Sequence, residues 1–411
     1  MRVLLAPIGS RGDLQPQLVL GEELRRRGHE VLFATCPNFL PQLRAQGFES
    51  LPVGRDSNAM ILEHAALAEQ SPLKALPRQL QLLTAETDRQ CRELLGADLP
   101  RFDLIVAAGL SFAPRLLAER QGARYSFIHY TRSAVRSATQ PPAALPLFGL
   151  PRPLNRAVWA LVLAGFQRAV AEPIARARRE HGLAPERDLY GSIHARNAVL
   201  AQDELFGSLP ADARGYVAHV PALARAAGAA ELPPSVEEFL QRGRGAPLVY
   251  VGFGSMPSVR RARVVEAVGA FCAAHGARVL LFSAHAEDDG IALPPAVLSV
   301  GALDHVRLFP RVDLVVHHGG AGTTAAALRA GVPQLIVPHI VDQFFHGRRI
   351  AELGLGPRPA SKRALRARLL GLSWSELREQ RQRAAQVAAT LAPSGAPAAA
   401  DALERLPPGA L

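Results

Sequence analysis

Two stretches of the chain carry residue types that act on phosphates and hydroxyls. One runs HHGGAGTTAAALRAGVPQLIVPHIVDQ from His317 to Gln343, and the other runs GSRGDLQP from Gly9 to Pro16. In the first, the imidazole of His318 is followed by Gly319, Gly320 and Gly322, then by the hydroxyls of Thr323 and Thr324. The first N–H groups of a helix have no internal partner, and the helix dipole makes that end positive. Glycine lets a ligand approach the backbone, so a glycine turn that opens a helix is a place for phosphate. His318 at a strand tip can donate one more hydrogen bond, and both threonines can add theirs. Further on, Asp342 supplies a carboxylate that accepts from two hydroxyls, and Gln343 an amide that donates and accepts, a pairing suited to a polyol. GGAG by itself also reads as a tight strand-to-helix connection. No Gly-Lys-Ser/Thr follows it, so it is not a Walker A loop, and its spacing is not that of a dinucleotide GxGxxG turn. In the second stretch, Asp13 follows a strand end within a glycine turn, with Pro16 at an early helical position. It reads either as a general base or as the N-cap of the following helix.

These residues need strand ends to hold them. Val3–Ile8, Glu30–Thr35, Asp103–Ala108 and Arg124–Tyr130 read as strands separated by helical patterns, one of them near Gln17–Arg27. Asn197–Gln202 reads as the last strand of the first half. After a Pro/Ala/Gly-rich stretch the rhythm restarts with Pro247–Gly254, Ala277–Ser283, Leu314–His318 and Pro333–His339. This is the pattern of two parallel α/β sheets, with a boundary near Ala222–Gly245 and ligands expected at the carboxyl ends of the strands, in the cleft between the domains. Ser133–Pro153 is proline-rich and expected to be an exposed loop. A short helix is expected around Ala398–Leu406.

Composition narrows the class. The chain has 411 residues, 48% hydrophobic and 20% charged, which fits two globular domains. No apolar run reaches the length expected of a membrane span. The opening MRVLLAPIGSRGD has too short an apolar part for a signal peptide. Cys36, Cys91 and Cys272 form no metal-ligand spacing and read as reduced thiols, so a cytoplasmic location is expected. The net charge of +11 raises nucleic acid as a partner, but the arginines are scattered along helices without an aromatic-basic repeat. A solvated face is the simpler reading, so no nucleic acid is expected. Contact with an anionic lipid surface stays open.

The sequence HHGGAGTT, followed by GVPQ, VP and DQ, resembles the nucleotide-sugar signature of the GT-B glycosyltransferases of family 1. It is most similar to the bacterial natural-product enzymes (vancomycin-group and macrolide), the rhamnolipid-type enzymes and the sterol glucosyltransferases. GSRGDLQP, GFGSM at Gly252–Met256, DHVRLFPRVD at Asp304–Asp313 and the loop with Pro141-Pro142 match the same enzymes in the same order, so the resemblance covers nearly the whole chain. It implies an α/β GT-B fold of two Rossmann-like domains facing across a cleft. Residues 1–221 would bind the acceptor and residues 222–391 the nucleotide sugar, and the tail 392–411 would cross back to the N-terminal domain. His318, Gly320, Ala321, Gly322 and Thr323 would hold the diphosphate, with Ser255 also on phosphate. Asp342 and Gln343 would hold the sugar, and the backbone of Gly301–Leu303, with Leu303, would face the base. Asp13 would be the catalytic base, and Ser10, His129, Pro141 and Trp159 would meet the acceptor. Packing is the simpler reading of His129, as of His317, His339 and His346.

The chain departs from the plant members of the family in three places. Val300 stands about where they stack the base on tryptophan, and Ala326 where they bind ribose with glutamate. The partner of their catalytic histidine falls near Ala108, so a direct carboxylate base is implied rather than a His–Asp relay. The implied activity is a metal-independent, inverting transfer of a hexose, glucose first, to a hydrophobic polyketide, macrolide, sterol or lipid. UDP-glucose is the first expectation for the co-substrate, with a dTDP-sugar as the alternative, and no other cofactor is expected. A sugar-nucleotide epimerase of the same fold and a non-catalytic sugar-nucleotide-binding protein are the rival readings.

Overall fold

The computed structural model describes residues 1–409, apart from 69–71, 144, 146, 226–230, 244, 255–260 and 284–290. It divides into two compact α/β units. One comprises Met1–Leu223 with Ser394–Leu411, the other Ala224–Pro393.

The first unit holds β1 (Arg2–Ile8), β2 (Glu30–Thr35), β3 (Glu49–Pro52), β4 (Leu104–Gly109), β5 (Arg124–His129), β6 (Ala198–Ala201) and β7 (Tyr216–Val220). All are parallel, in the order β3-β2-β1-β4-β5-β6-β7. The second holds β8 (Leu248–Gly252), β9 (Arg278–Phe282), β10 (Val297–Val300), β11 (Leu314–His317) and β12 (Gln334–Ile336), again parallel, in the order β10-β9-β8-β11-β12. Strand order therefore reverses between β1 and β4 in one sheet and between β8 and β11 in the other. In open sheets of this kind such a reversal point is where ligands bind, outside the carboxyl ends of the strands.

Central strands are buried on both faces, which is why they read as unbroken apolar runs. Val3, Leu4, Leu5, Ala6 and Ile8 are fully buried. In the second sheet, successive residues serve opposite cores. Val249, Val251, Leu314 and Val316 pack on one side, and Leu248, Tyr250 and Val315 on the other.

Several expectations are corrected. β3, β7 and β10 were not anticipated, and Asn197–Gln202 is followed by β7 rather than ending the first half. All three lie at sheet edges, where one side is solvated, and their burial is mixed rather than continuous. The first helix starts at Arg11, because Ser10 caps it. The loop after β5 is irregular but not wholly exposed. Ser133, Val135, Ser137, Ala138 and Gln140–Pro142 are buried, and Asp212 accepts from the Ser137 hydroxyl and the Ala138 N–H, each at 2.7 Å. The helix Arg152–Glu180 is long and apolar enough, by length and composition alone, to cross a membrane. Its later residues Ala169, Val170, Pro173, Ile174 and Ala177 are buried within the first unit.

The tail helix Ala396–Glu404 belongs to the first unit and buries Ala396, Ala399, Ala400 and Leu403. Arg27 reaches Asp401 at 2.6 Å and Glu404 at 2.9 Å, and His29 reaches Glu404 at 2.7 Å.

Candidate functional site

At the β1/β4 reversal the chain turns sharply at Gly9 (φ +144) and enters the Arg11–Arg26 helix. Ser10 is the N-cap and Asp13 the third helical residue, so Asp13 is not itself the cap. The two residues form a reciprocal capping box. The Ser10 hydroxyl accepts from the Gly12 N–H at 3.1 Å, while Asp13 Oδ2 accepts from the Ser10 N–H at 2.7 Å and its hydroxyl at 3.0 Å. Gly109, at the end of β4 with φ +72, faces the same carboxylate. A Cβ there would lie 2.8 Å from Asp13 Oδ1 and 2.4 Å from the Ile8 carbonyl. A Cβ at Gly9 would lie 2.5 Å from Asp13 Oδ2. The half-buried carboxylate is thus held between glycine backbones from the ends of two central strands. Sequence reasoning did not single out Gly109, though a glycine ending an apolar strand was the signal available. Ala108 is fully buried and offers only a methyl group.

Of the residues expected on the acceptor side, Ser10 bonds the Asp13 carboxylate, while the ring nitrogens of His129 and Trp159 have partners elsewhere in the first unit. His129 is 6% exposed, its Nε2 donates to the His194 carbonyl at 2.6 Å, and it packs among Phe127, His194 and Tyr216. Burial lowers its pKa to about 4, so the ring is neutral at pH 7. Trp159 is also buried, and its indole N–H donates to the Gln140 carbonyl at 2.9 Å. It braces the segment carrying the buried Pro141.

In the second unit, β11 ends at His317 and the backbone turns at Gly319 (φ +93) into the helix Ala321–Arg329. Gly320 is its N-cap, and no side chain caps it. The opening N–H groups are left to whatever ligand arrives. His318 lies against this start. A Cβ on Gly320 would come within 2.6 Å of its Nε2, and one on Gly254, just past β8, within 3.1 Å of its Cε1. A Cβ on Gly322 would meet nothing within 4 Å. The turn after β8 and the turn after β11 therefore meet at the second reversal point. Burial lowers the His318 pKa to about 4, against a hydrogen bond to the Gly252 backbone, so the ring is neutral at pH 7.

Thr324 departs from expectation. It is 1% exposed and its hydroxyl donates to the Gly320 carbonyl at 2.9 Å, the back-bonding habit of threonine in helices. Thr323 stays half-exposed. His317 is structural: its Nδ1 accepts from the Gly319 N–H and its Nε2 donates to Gln334 Oε1 at 2.9 Å.

Asp342 and Gln343 stand at the start of the Gln343–Glu352 helix. That helix is tied to the glycine turn, because His346 Nδ1 donates to the Gly319 carbonyl at 2.7 Å. A Cβ on Gly319 would also crowd the Gln343 backbone at 3.2 Å. This brings the carboxylate-amide pair beside His318 and Gly320–Thr323, with Gly319 and His346 as the link that sequence reasoning missed. The Asp342 side chain caps no helix N–H. Burial raises its pKa, against the pull of His346 3.8 Å away. Gln343 is corrected in part. Its Oε1 already accepts from the His339 and Ile340 N–H groups at 2.7 and 3.1 Å, so only its NH₂ can serve a ligand.

Leu303 is half-buried against the core beneath it, while Gly301 and Ala302 are exposed. Val300 is buried and Ala326 half-buried. Ser255 lies outside the described residues. Among the described residues, no group of three or more His, Cys, Asp or Glu is placed to hold a metal ion.

Comparisons with known proteins bear on the family. Residues 3–139 match the glycosyltransferase family 28 N-terminal domain, and residues 262–403 the erythromycin biosynthesis protein CIII-like C-terminal domain. The chain is 34% identical to glycosyltransferase GtfE of Amycolatopsis orientalis, over 98% of this chain and 97% of that protein. It is 32% identical to the vancomycin aglycone glucosyltransferase of the same organism, over 87% and 85% of the two. Among solved structures, glycosyltransferase VinC in complex with dTDP superposes with a TM-score of 0.65 at 23% identity, covering 98% of this chain and 99% of that one.

Proposed function

This chain belongs to the GT-B family 1 natural-product glycosyltransferases, which use a nucleotide sugar, and we propose that it moves a hexose from that donor to a hydroxyl of a hydrophobic small molecule, with inversion and with Asp13 as base. The observation that carries the reading is the placement of its two halves. A held carboxylate occupies the reversal point of one sheet, and an uncapped helix start beside a histidine occupies that of the other.

In this reading the acceptor hydroxyl gives its proton to the Asp13 carboxylate. The acceptor oxygen forms a bond to C1 of the sugar, from the face opposite the diphosphate. The C1–oxygen bond to the diphosphate breaks, and the diphosphate leaves with the electron pair. A carboxylate is a weak base, so proton transfer runs late, as the new C–O bond forms. The leaving charge is met by the N–H groups of Ala321–Thr323, the Thr323 hydroxyl and the His318 N–H. Asp342 accepts from sugar hydroxyls and the Gln343 NH₂ donates to one. UDP-glucose is the first donor to test. The dTDP bound by VinC supports trying dTDP-glucose beside it. No metal enters the scheme, so activity is expected to survive EDTA; loss restored by Mg²⁺ would remove that part of it.

The deciding variant is Asp13→Asn. An amide oxygen can still accept from the Ser10 N–H, so the helix keeps its cap while the base is lost. With UDP- or dTDP-glucose and a panel of hydrophobic alcohols and phenols, turnover should fall by about 10²–10⁴, the usual contribution of a general base. Donor affinity and melting temperature should hold. Undiminished turnover would remove Asp13 as base. A chain that binds the nucleotide sugar but turns over no acceptor would be better read as a binding protein.

A further inference from the structure

Between Glu119 and Glu172 the chain has no acidic residue and seven arginines: Arg120, Arg124, Arg132, Arg136, Arg152, Arg156 and Arg168. Arg136, Arg152, Arg156 and Arg168 are exposed. None of these four makes an ion pair within 4 Å among the described residues, and Arg152 lies near enough to Asp212 to help lower its pKa. Arg152 and Arg156 stand one turn apart at the start of the Arg152–Glu180 helix, and the next eleven residues, AVWALVLAGFQ, carry no charge. Leu154, Ala157, Leu161 and Ala164, at steps of three and four, share one exposed face. Leu161 is 69% exposed and Leu154 51%. The loop running into this helix adds Leu147 and Leu145, 48% and 37% exposed. It is joined to the first turn where the Asn155 side-chain amide donates to the Leu150 carbonyl at 3.1 Å.

Four exposed leucines within so short a stretch, bordered by arginines, are not an ordinary soluble surface. We propose that this face docks on an anionic lipid bilayer, with the leucines entering the boundary between headgroups and acyl chains and the arginines on lipid phosphates. That is the division of labour of an interfacial helix. The later half of the helix buries one face in the first unit and carries charged residues such as Arg168, Glu172 and Arg176, so the helix lies on the bilayer rather than crossing it. Charge decides against a second copy of the chain as occupant, since a twofold contact would bring arginines against arginines. The inference stands apart from the transfer reading, because its test measures lipid binding and not turnover.

The test is sedimentation of the full chain with phosphatidylcholine vesicles and with vesicles also containing phosphatidylglycerol, at low and high salt. Binding to the anionic vesicles is expected to exceed that to the neutral ones by at least about tenfold and to weaken with salt. Arg152→Glu/Arg156→Glu should lower it roughly 25-fold, from about fivefold for each arginine lost. Leu154→Ser/Leu161→Ser should lower it by about tenfold or more. The leucine variant changes exposed side chains, so its melting temperature should match that of the unaltered chain, and Arg156→Glu alone, which leaves the Arg152–Asp212 attraction in place, should lower binding about fivefold or more. Equal binding to both vesicles, no binding to either, or variants that bind undiminished would overturn the proposal. So would a dimer in lipid-free ultracentrifugation that the leucine variant converts to monomer.

Discussion

Gly322→Ala separates folding from donor binding. Gly322 is the second residue of the helix Ala321–Arg329, is exposed, and has no positive φ, and an added Cβ would meet nothing within 4 Å. Alanine should therefore cost the fold nothing. It is the better helix former by up to about 1 kcal/mol, so the melting temperature should hold or rise by roughly 1–3 °C. The methyl group would, however, project into the open space beside the helix start. If a diphosphate seats there, at least one charge-assisted hydrogen bond is lost, worth about 1.5–3 kcal/mol. At 1.4 kcal/mol per decade, UDP or dTDP should bind about 10- to 150-fold more weakly by calorimetry. Gly320→Ala is the companion variant. There the new Cβ would press on His318 Nε2 from 2.6 Å and displace the ring, so binding should fall through His318 instead. A Gly322→Ala protein that is stable and binds the diphosphate as tightly as before would refute the placement of the phosphate on this helix.

Gln343→Glu keeps an oxygen for the His339 and Ile340 N–H groups but removes the NH₂; kcat/KM for the donor sugar should drop by about tenfold or more while melting stays within about 2 °C. Unchanged kcat/KM would take Gln343 out of the sugar site. Acid should destabilise the chain through its buried histidines. Burial holds His129, His318 and His339 to about 4 and His194 and His317 to about 3. In the unfolded chain these rings take protons below about 6.5. The unfolded state then binds more protons than the folded one, so stability is full above that value and falls as pH drops from about 6.5 toward 4, by up to about 1.4 kcal/mol per pH unit for each ring. Urea midpoints at pH 7.5, 6 and 5 check this, and a midpoint that is flat or rises on acidification would contradict it.

Burial symmetry separates what the sequence disclosed from what it hid. β1, β8 and β11 are enclosed on both faces, so VLLAPI, LVYVG and LVVH stand out against any background. β3, β7 and β10 share the same sheets but lie at edges, and their mixed composition resembles that of loops. The site divides in the same way. His318, Gly320–Thr323 and the Asp-Gln pair are contiguous motifs whose chemistry follows from residue type. Hydrogen bonds that close on the fold itself left no such trace. Nothing in GTT distinguishes Thr323 from Thr324, yet one helical turn commits the second hydroxyl to Gly320. Nothing in VDQ shows that the Gln343 oxygen is already used by the loop before it. Gly109 meets Asp13 only because β1 and β4 are neighbours in the sheet.

Those commitments change which groups can carry a diphosphate. By composition, two threonines and a histidine would share the charge with the helix. In the folded chain Thr324 is engaged, and His318 is held neutral by burial. What remains before binding is the helix start, with a partial charge of roughly half a unit, and one hydroxyl. A dianionic ligand would alter that balance. A nearby negative charge favours the protonated imidazole and opposes the burial that now suppresses it. In the proposed transfer, His318 would gain its proton as negative charge accumulates beside it, most of all when the diphosphate leaves. An arginine in its place would be charged from the outset and would hold donor and leaving group alike. Only an interaction that strengthens along the reaction speeds it, and in the proposed site a buried histidine against an uncapped helix would have that property.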